Sequence, residues 1–341
     1  MNPLIKALTA LGHHGSVILP IGVFLGLLVP PLASLMKPLL IPGIIGPFII
    51  ALIRIDWRRL RDHVRQPWIT ALLLIWLLIA APFLVDALIR WLPLAEGLHG
   101  SLVLMAAASP LMASASLALI IGLDASLAVI LTLTATALIP FTLPPIALHL
   151  LGIEIDIAIS ELMLRLGALI GGCFALAWLI RRFLPRGFTS KHAASLDGLA
   201  IIGLLVFAIA VMDGVTALFI ERPGFVLSAT AAVFGLNIAM QAIATLAFAW
   251  RGLRQALTAG LCSGNRNLGL LLAAMADRAS TELLIVIAVA QFPIYILPTA
   301  QRWLYRRWLG PGAGGGPGAG SGPGAGIEPG FGYGEETDHV D

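Results

Sequence analysis

Cys262-Ser263-Gly264-Asn265-Arg266-Asn267-Leu268-Gly269 lies near the middle of an otherwise apolar stretch covering residues 256–276. Two asparagines flanking an arginine at the centre of a membrane segment are costly unless other groups partner them. Gly264 and Gly269 weaken the helix on either side. An interrupted helix is tolerated at such depth only where it is buried in protein or lines a cavity. The stretch therefore has two readings. One is a broken membrane helix that builds a polar site. The other is a buried arginine held by backbone carbonyls or by a distant acid.

The rest of the chain makes a membrane setting unavoidable. Of 341 residues, 59% are hydrophobic and only 11% are charged, where a soluble domain carries about a quarter charged residues. That composition excludes an ordinary water-soluble enzyme or nucleic-acid binder. The net charge of +3 is too small to predict a nucleic-acid partner, and its placement carries more information than its size. The two cysteines, Cys173 and Cys262, sit in apolar stretches and read as buried thiols. Seven scattered histidines show no metal-ligand spacing, so neither a metal nor any other cofactor is expected. There is no His-Glu-x-x-His, no Gly-x-Ser-x-Gly and no pair of intramembrane aspartates, so catalysis is not expected. No pattern resembles a repeated channel filter. The first residues show no cleavage pattern and predict no removable signal peptide.

Punctuated at its charged clusters, the chain predicts an all-α membrane protein of about ten spans: 15–36, 38–53, 68–90, 98–121, 125–150, 159–180, 196–217, 225–249, 256–276 and 282–304. The arginines and lysines test that count. With the loops taken alternately, one side receives fifteen of the 21, among them Arg54, Arg58, Arg59, Arg61 and Arg65, then Arg181, Arg182, Arg186 and Lys191. The other side receives Lys37, Arg90, Arg222 and Arg278. The bias predicts a multi-pass protein of the cell's plasma membrane with both termini in the cytoplasm. From Gly310 the chain turns into Gly-Pro-Ala repeats ending in Glu335, Glu336, Asp338 and Asp341. Residues 310–341 are expected to form a disordered acidic tail.

Ten spans divide into five and five. An odd number per half forces the second half to insert upside down, a recurrent plan in transporters. The expected organisation is a first inverted repeat over 1–151 and a second over 152–309. Spans 4 and 9 are then counterparts, and span 4 carries its own run of small and helix-weakening residues, Ala106-Ala107-Ala108-Ser109-Pro110-Leu111-Met112-Ala113-Ser114-Ala115-Ser116. Taken alone, such a run reads first as close helix packing through small residues.

At these residues the chain resembles the bile acid:sodium symporter family and its wider superfamily. Asp56-Trp57-Arg58-Arg59-Leu60 followed by Pro67 looks like the family's loop between helices 2 and 3. Pro110 with the small residues after it, then Asp124, resembles helix 4 and the turn into helix 5. Ser126-Leu127-Ala128-Val129, Thr132, Thr134, Thr136, Pro140 and Pro144 follow the helix 5 pattern. Asn237 resembles a helix 8 asparagine. Thr258 and Gly264-Asn265-Arg266-Asn267-Leu268-Gly269-Leu270 look like the helix 9 motif, usually Glu-x-Gly-x-Gln-Asn-x-Gly-Leu. The resemblance spans about residues 15–305.

The resemblance implies a panel domain of helices 1, 2, 6 and 7. It also implies a core domain of helices 3, 4, 5, 8, 9 and 10, in which helices 4 and 9 break and cross. Substrate would lie between the domains, and the core would shift against the panel to alternate access. The expected function is secondary transport of a small organic, anionic solute. A transporter-fold sensor signalling through the acidic tail is the alternative. The departures from the pattern concern sodium. The family glutamate falls on Cys262 and its glutamine on Arg266. The helix 4 Ser-Asn pair reduces to Ser114 or Ser116, and the helix 3 glutamine falls near Trp76 or Leu77. A fixed guanidinium repels a cation, by about 4 kcal/mol at 4 Å and an effective dielectric of about 20. Sodium coupling is therefore doubtful, with two compatible roles for Arg266: a covalent stand-in for the ion, or a direct partner of an anionic substrate.

The candidate binding residues are Ser114, Ser116, Thr132, Thr136, Asn237, Gln241, Cys262, Ser263, Asn265, Arg266 and Asn267. Thr132 and Thr136 share a helix face and either line the ion region or bond back to their own helix. Asn237 and Gln241, also four apart, face the crossing or glue helices together. Gln291 is a weaker candidate. Glu161 with Arg165, and Asp86 with Arg90, read as local ion pairs. Asp213 invites a proton-coupling role but falls near a span end. Trp57, Trp68, Trp91, Trp303 and Trp308 read as interfacial anchors.

Overall fold

With so few polar side chains, a backbone in hydrocarbon has no partner but itself, and helices satisfy every interior N–H and C=O within one segment. The computed structural model describes residues 7–11, 15–55, 67–151, 158–185, 187–275 and 278–309. The expected loop Asp56-Trp57-Arg58-Arg59-Leu60 and the tail from Gly310 lie outside them. The described elements are helical throughout. They run α1 (Gly15–Leu28), α2 (Pro30–Met36), α3 (Leu40–Arg54), α4 (Pro67–Ile75), a π-helical segment (Trp76–Ala80), α5 (Ala81–Ile89), α6 (Leu98–Ala107), α7 (Ser114–Ile121) and α8 (Ala125–Leu151). There follow α9 (Ile159–Phe183), α10 (Ala193–Ala210), α11 (Val215–Glu221), α12 (Pro223–Ala247), α13 (Leu253–Gly264), α14 (Leu268–Met275) and α15 (Thr281–Leu309).

Seven stretches among the described residues are long and apolar enough to cross a membrane: Pro30–Arg54, Pro67–Ile89, Ala125–Leu151, Ile159–Phe183, Ala193–Glu221, Pro223–Ala247 and Thr281–Leu309. The expected spans 1, 4 and 9 are the ones without a continuous long helix. Spans 4 and 9 are interrupted where their small and polar residues predict, between α6 and α7 and between α13 and α14. The first boundary differs from expectation. The chain breaks at Val29, before Pro30-Pro31, and then continues from α2 through a 3-10 turn at Lys37–Leu39 into α3. Proline is well suited to the first turn of a helix, and the Pro30-Pro31 pair outweighs the single charge of Lys37 as punctuation.

Packing sorts the helices into two groups. Helix α10 lies against α1 and α3, while α9 bridges the groups, lying against α3 on one side and against α8 and α14 on the other. The α3–α10 crossing is close because glycine faces glycine. A Cβ on Gly43 would meet the Gly203 carbonyl at 3.0 Å, and one on Gly203 would meet Pro47 Cγ at 2.6 Å. In the second group α12 packs on α13 and α15, while α8 packs on α6, α7 and α13. There Gly264 allows the contact, since a Cβ would sit 2.4 Å from Gln241 Cγ and 2.7 Å from the Asn237 carbonyl. Small residues bringing backbones together are the ordinary device for membrane helices, where apolar surface gains nothing by leaving lipid.

Candidate functional site

The two interruptions meet. Ser109 and Pro110, between α6 and α7, lie antiparallel to Arg266 and Asn267, between α13 and α14. The Asn267 N–H donates to the Ser109 carbonyl at 2.7 Å, and the Leu111 N–H donates to the Asn265 carbonyl at 2.9 Å. Each broken helix thus satisfies part of the backbone that the other exposes, which is what interrupted helices at this depth require. Asn267 also closes the new helix beyond the break: its Oδ1 accepts from the Leu270 N–H, which caps α14.

Arg266 sits on this crossing and is only 1% exposed. Its Nε donates to the Ser263 carbonyl at 2.8 Å, and its Nη1 donates to the carbonyls of Ala108 at 2.9 Å and Leu77 at 3.1 Å. Its Nη2 is buried without a partner. No carboxylate is among its partners; three carbonyls hold the guanidinium. Two of them are cut helix ends, Ala108 at the C-terminus of α6 and Ser263 in the last turn of α13. A helix C-terminus carries about −0.5 charge, so two such ends together offset about one positive charge. The third carbonyl, Leu77, belongs to the π-helical segment, where the altered register re-aims backbone groups.

A cavity of about 540 Å³ reaches this crossing, with walls drawn from both helix groups. One wall comes from Ile44, Pro47 and Phe48 of α3 and Ile201 and Phe207 of α10; the other from Met112, Ser116, Arg266, Asn267, Gln291 and Tyr295. The cavity runs to the ends of α3 and α10, where Arg54 and Asp197 line it as an ion pair. It is mostly apolar with few polar groups, the usual make-up of a small-molecule site. The N-terminal ends of α7 and α14 also face it through Met112, Ala113, Asn267 and Leu268. Helix N-termini favour negative charge.

Of the expected binding residues, Ser116, Arg266 and Asn267 line the cavity, and so does the weaker candidate Gln291, whose Nε2 also donates to the Ile287 carbonyl. The others are held behind it. Asn237 donates to the Gly264 carbonyl at 2.9 Å, and Gln241 donates to Asn237 Oδ1 at 2.7 Å while its own Oε1 accepts from Gln301 and Tyr305. These two are therefore the glue between α12, α13 and α15. Thr136 donates back to the Thr132 carbonyl at 2.7 Å and meets Ser109 Oγ at 3.1 Å. Ser114 Oγ and Thr132 Oγ1 are buried without partners. Ser263 donates to the Ala259 carbonyl and accepts from Trp76 Nε1 at 2.9 Å; Asn265 donates to the Leu261 carbonyl. Cys262 is fully buried in an apolar cluster with Leu257, Leu261 and Phe248.

The local pairs form as expected. Glu161 and Arg165 stand 2.8 Å apart, and Arg90 meets Asp86, which also faces His99. Asp213 pairs with Lys37 at 2.8 Å and accepts from Ser34 at 2.6 Å; it is absent from the lining of the 540 Å³ cavity. Sequence reading missed the carbonyls of Leu77 and Ala108 and the cavity residues Tyr295, Phe48 and Phe207. A carbonyl leaves no mark in the sequence. The aromatic residues were indistinguishable there from others that face lipid.

No group of three His, Cys, Asp or Glu side chains able to hold a metal occurs among the described residues. The Arg266 guanidinium occupies the carbonyl ends of both cut helices. In comparisons with known proteins, the model of the Sodium Bile acid symporter family matches residues 41–222, more than half of the chain. No curated protein matches.

Proposed function

Because the chain belongs to the sodium bile acid symporter family, a family of membrane solute transporters, we propose that it is a secondary transporter of a small organic anion, with Arg266 in place of a coupled cation. The observation that carries this reading is the guanidinium itself. It is wrapped by three carbonyls, two of them helix C-termini, as a bound ion would be, and its Nη2 is buried without a partner in a residue that lines the cavity. Interrupted helices whose ends hold a cation and face an anion are the general plan of such transporters.

In this reading α1, α3, α9 and α10 form the panel, and α4 to α8 with α12 to α15 form the core. The halves 1–151 and 152–309 are inverted repeats of five crossings each, and both termini lie in the cytoplasm of a cell bounded by this membrane. The anion enters between panel and core, places its charge against Arg266 Nη2 and the starts of α7 and α14, and its apolar body against Ile44, Phe48 and Phe207. Only Nη2 is free, so the contact is a single end-on charge-assisted hydrogen bond rather than a two-pronged one. The core then moves against the panel. Because the positive charge is covalently part of the core, no sodium need bind or leave.

The test is uptake into vesicles holding the purified protein, with a panel of organic acids first screened by thermal stabilisation. Saturable uptake equal in sodium and in potassium, and lost in Arg266→Gln, is the expected result. Unchanged uptake and ion dependence in that variant would defeat both roles assigned to the arginine.

A further inference from the structure

A second cavity, of about 600 Å³, lies away from the crossing on the outer side of α3 and α9. Its floor is Leu52, Phe174 and Ala177; its rim is Trp178, Arg181 and Arg182. The rim belongs to the last turns of α9, on the arginine-rich side of the chain. Trp178 on this rim is 62% exposed, so the groove opens toward lipid rather than toward the core.

The two arginines are held in place but not neutralised. Arg181 Nη1 donates to the carbonyls of Ile53, at 3.2 Å, and Ile55, which close the C-terminus of α3. The Arg182 guanidinium lies over the Trp178 ring, 5.7 Å from its centroid, an arrangement that orients the cation and leaves its N–H edge free. Neither guanidinium forms an ion pair among the described residues. Two oriented positive groups thus stand at the head of an apolar groove at the membrane boundary.

We infer that this groove binds an anionic phospholipid, with its phosphate against Arg181 and Arg182 and an acyl chain over Leu52, Phe174 and Ala177. Charge complementarity selects an anionic headgroup. The apolar floor, in a groove that opens sideways, selects a lipid over a free anion, which gains nothing from such a surface. Basic pockets between membrane helices bind such headgroups elsewhere. The lipid straps α3 to α9, and its binding is independent of the transport reading.

The experiment uses the purified full chain in detergent, with thermal stability and native mass spectrometry as readouts. Phosphatidylglycerol should raise the melting temperature and remain bound where phosphatidylcholine does neither. Arg182→Gln should weaken phosphatidylglycerol binding roughly fivefold, the worth of one basic group at a membrane surface. Should that variant not fold, Trp178→Leu, which removes the ring that orients Arg182, should weaken it in the same direction. Equal binding of both lipids, phosphatidylglycerol binding unchanged in the variant, or equal stabilisation by inorganic phosphate would each overturn the assignment.

Discussion

Arg266 Nη1 donates to the Ala108 carbonyl at 2.9 Å, so a cation on one interrupted helix is bonded to the cut end of the other. The two residues are 158 positions apart. The bond ties the crossing together and fixes the guanidinium in one orientation, with Nη2 as its remaining donor. Removing the side chain leaves three carbonyls without their donor.

If Arg266 does the work of a bound cation, restoring the family residues should restore the ion. The paired substitution Cys262→Glu with Arg266→Gln returns the carboxylate and amide that the family motif carries at these positions. Uptake by that variant should become sodium-stimulated, while the unaltered chain stays indifferent. Vesicle uptake in sodium against potassium measures this, and a sodium-indifferent but active double variant would contradict the stand-in role.

The α12–α13 contact depends on the absence of a side chain at Gly264. Gly264→Ala places a methyl 2.7 Å from the Asn237 backbone carbonyl, which cannot rotate away as a side chain can. A loss of about 1–3 kcal/mol is expected. Thermal unfolding in detergent reports it, and a variant as stable as the original would show that the crossing relaxes freely.

Gln241 joins α12 to α15 by accepting from Gln301 and Tyr305, and it donates to Asn237, whose own bond to the Gly264 carbonyl reaches α13. Gln241→Leu keeps the volume and removes every bond. Buried partners left unmatched should cost about 1–2 kcal/mol. Since Gln241 does not line the cavity, affinity for a transported acid should change far less than stability, as binding and melting measurements on the same preparation would show.

Asp213 is bonded to an exposed lysine and to Ser34, and it is not among the residues lining the cavity. Asp213→Asn should cost under about 1 kcal/mol and leave the pH profile of uptake unchanged. A profile that loses its proton dependence in this variant would return Asp213 to the mechanism.

Much of this was legible in the chain because the signals are local. Apolar length announces membrane helices wherever it occurs, and Asn265-Arg266-Asn267 marks a break in its helix, whereas the run around Ser109-Pro110 on its own reads first as close packing. Asp86–Arg90 and Glu161–Arg165 follow from one turn of helix. The polar pairs were less readable: Asn237 and Gln241 had two readings, and only the proximity of Gly264 shows that they brace the crossing from behind. The start of α2 was misplaced because Pro30-Pro31 counted for less in the reading than the lone charge of Lys37.

By itself, then, the amino-acid order determined that this is a helical membrane protein with two weakened helices and a costly arginine in one of them, since hydropathy and helix propensity belong to each segment alone. What the arginine touches was decided only in three dimensions. Its partners are backbone oxygens of Leu77 and Ala108, 189 and 158 residues away, and every residue carries such an oxygen. Only the packing that brings one broken end against the other selects which of them meet the charge.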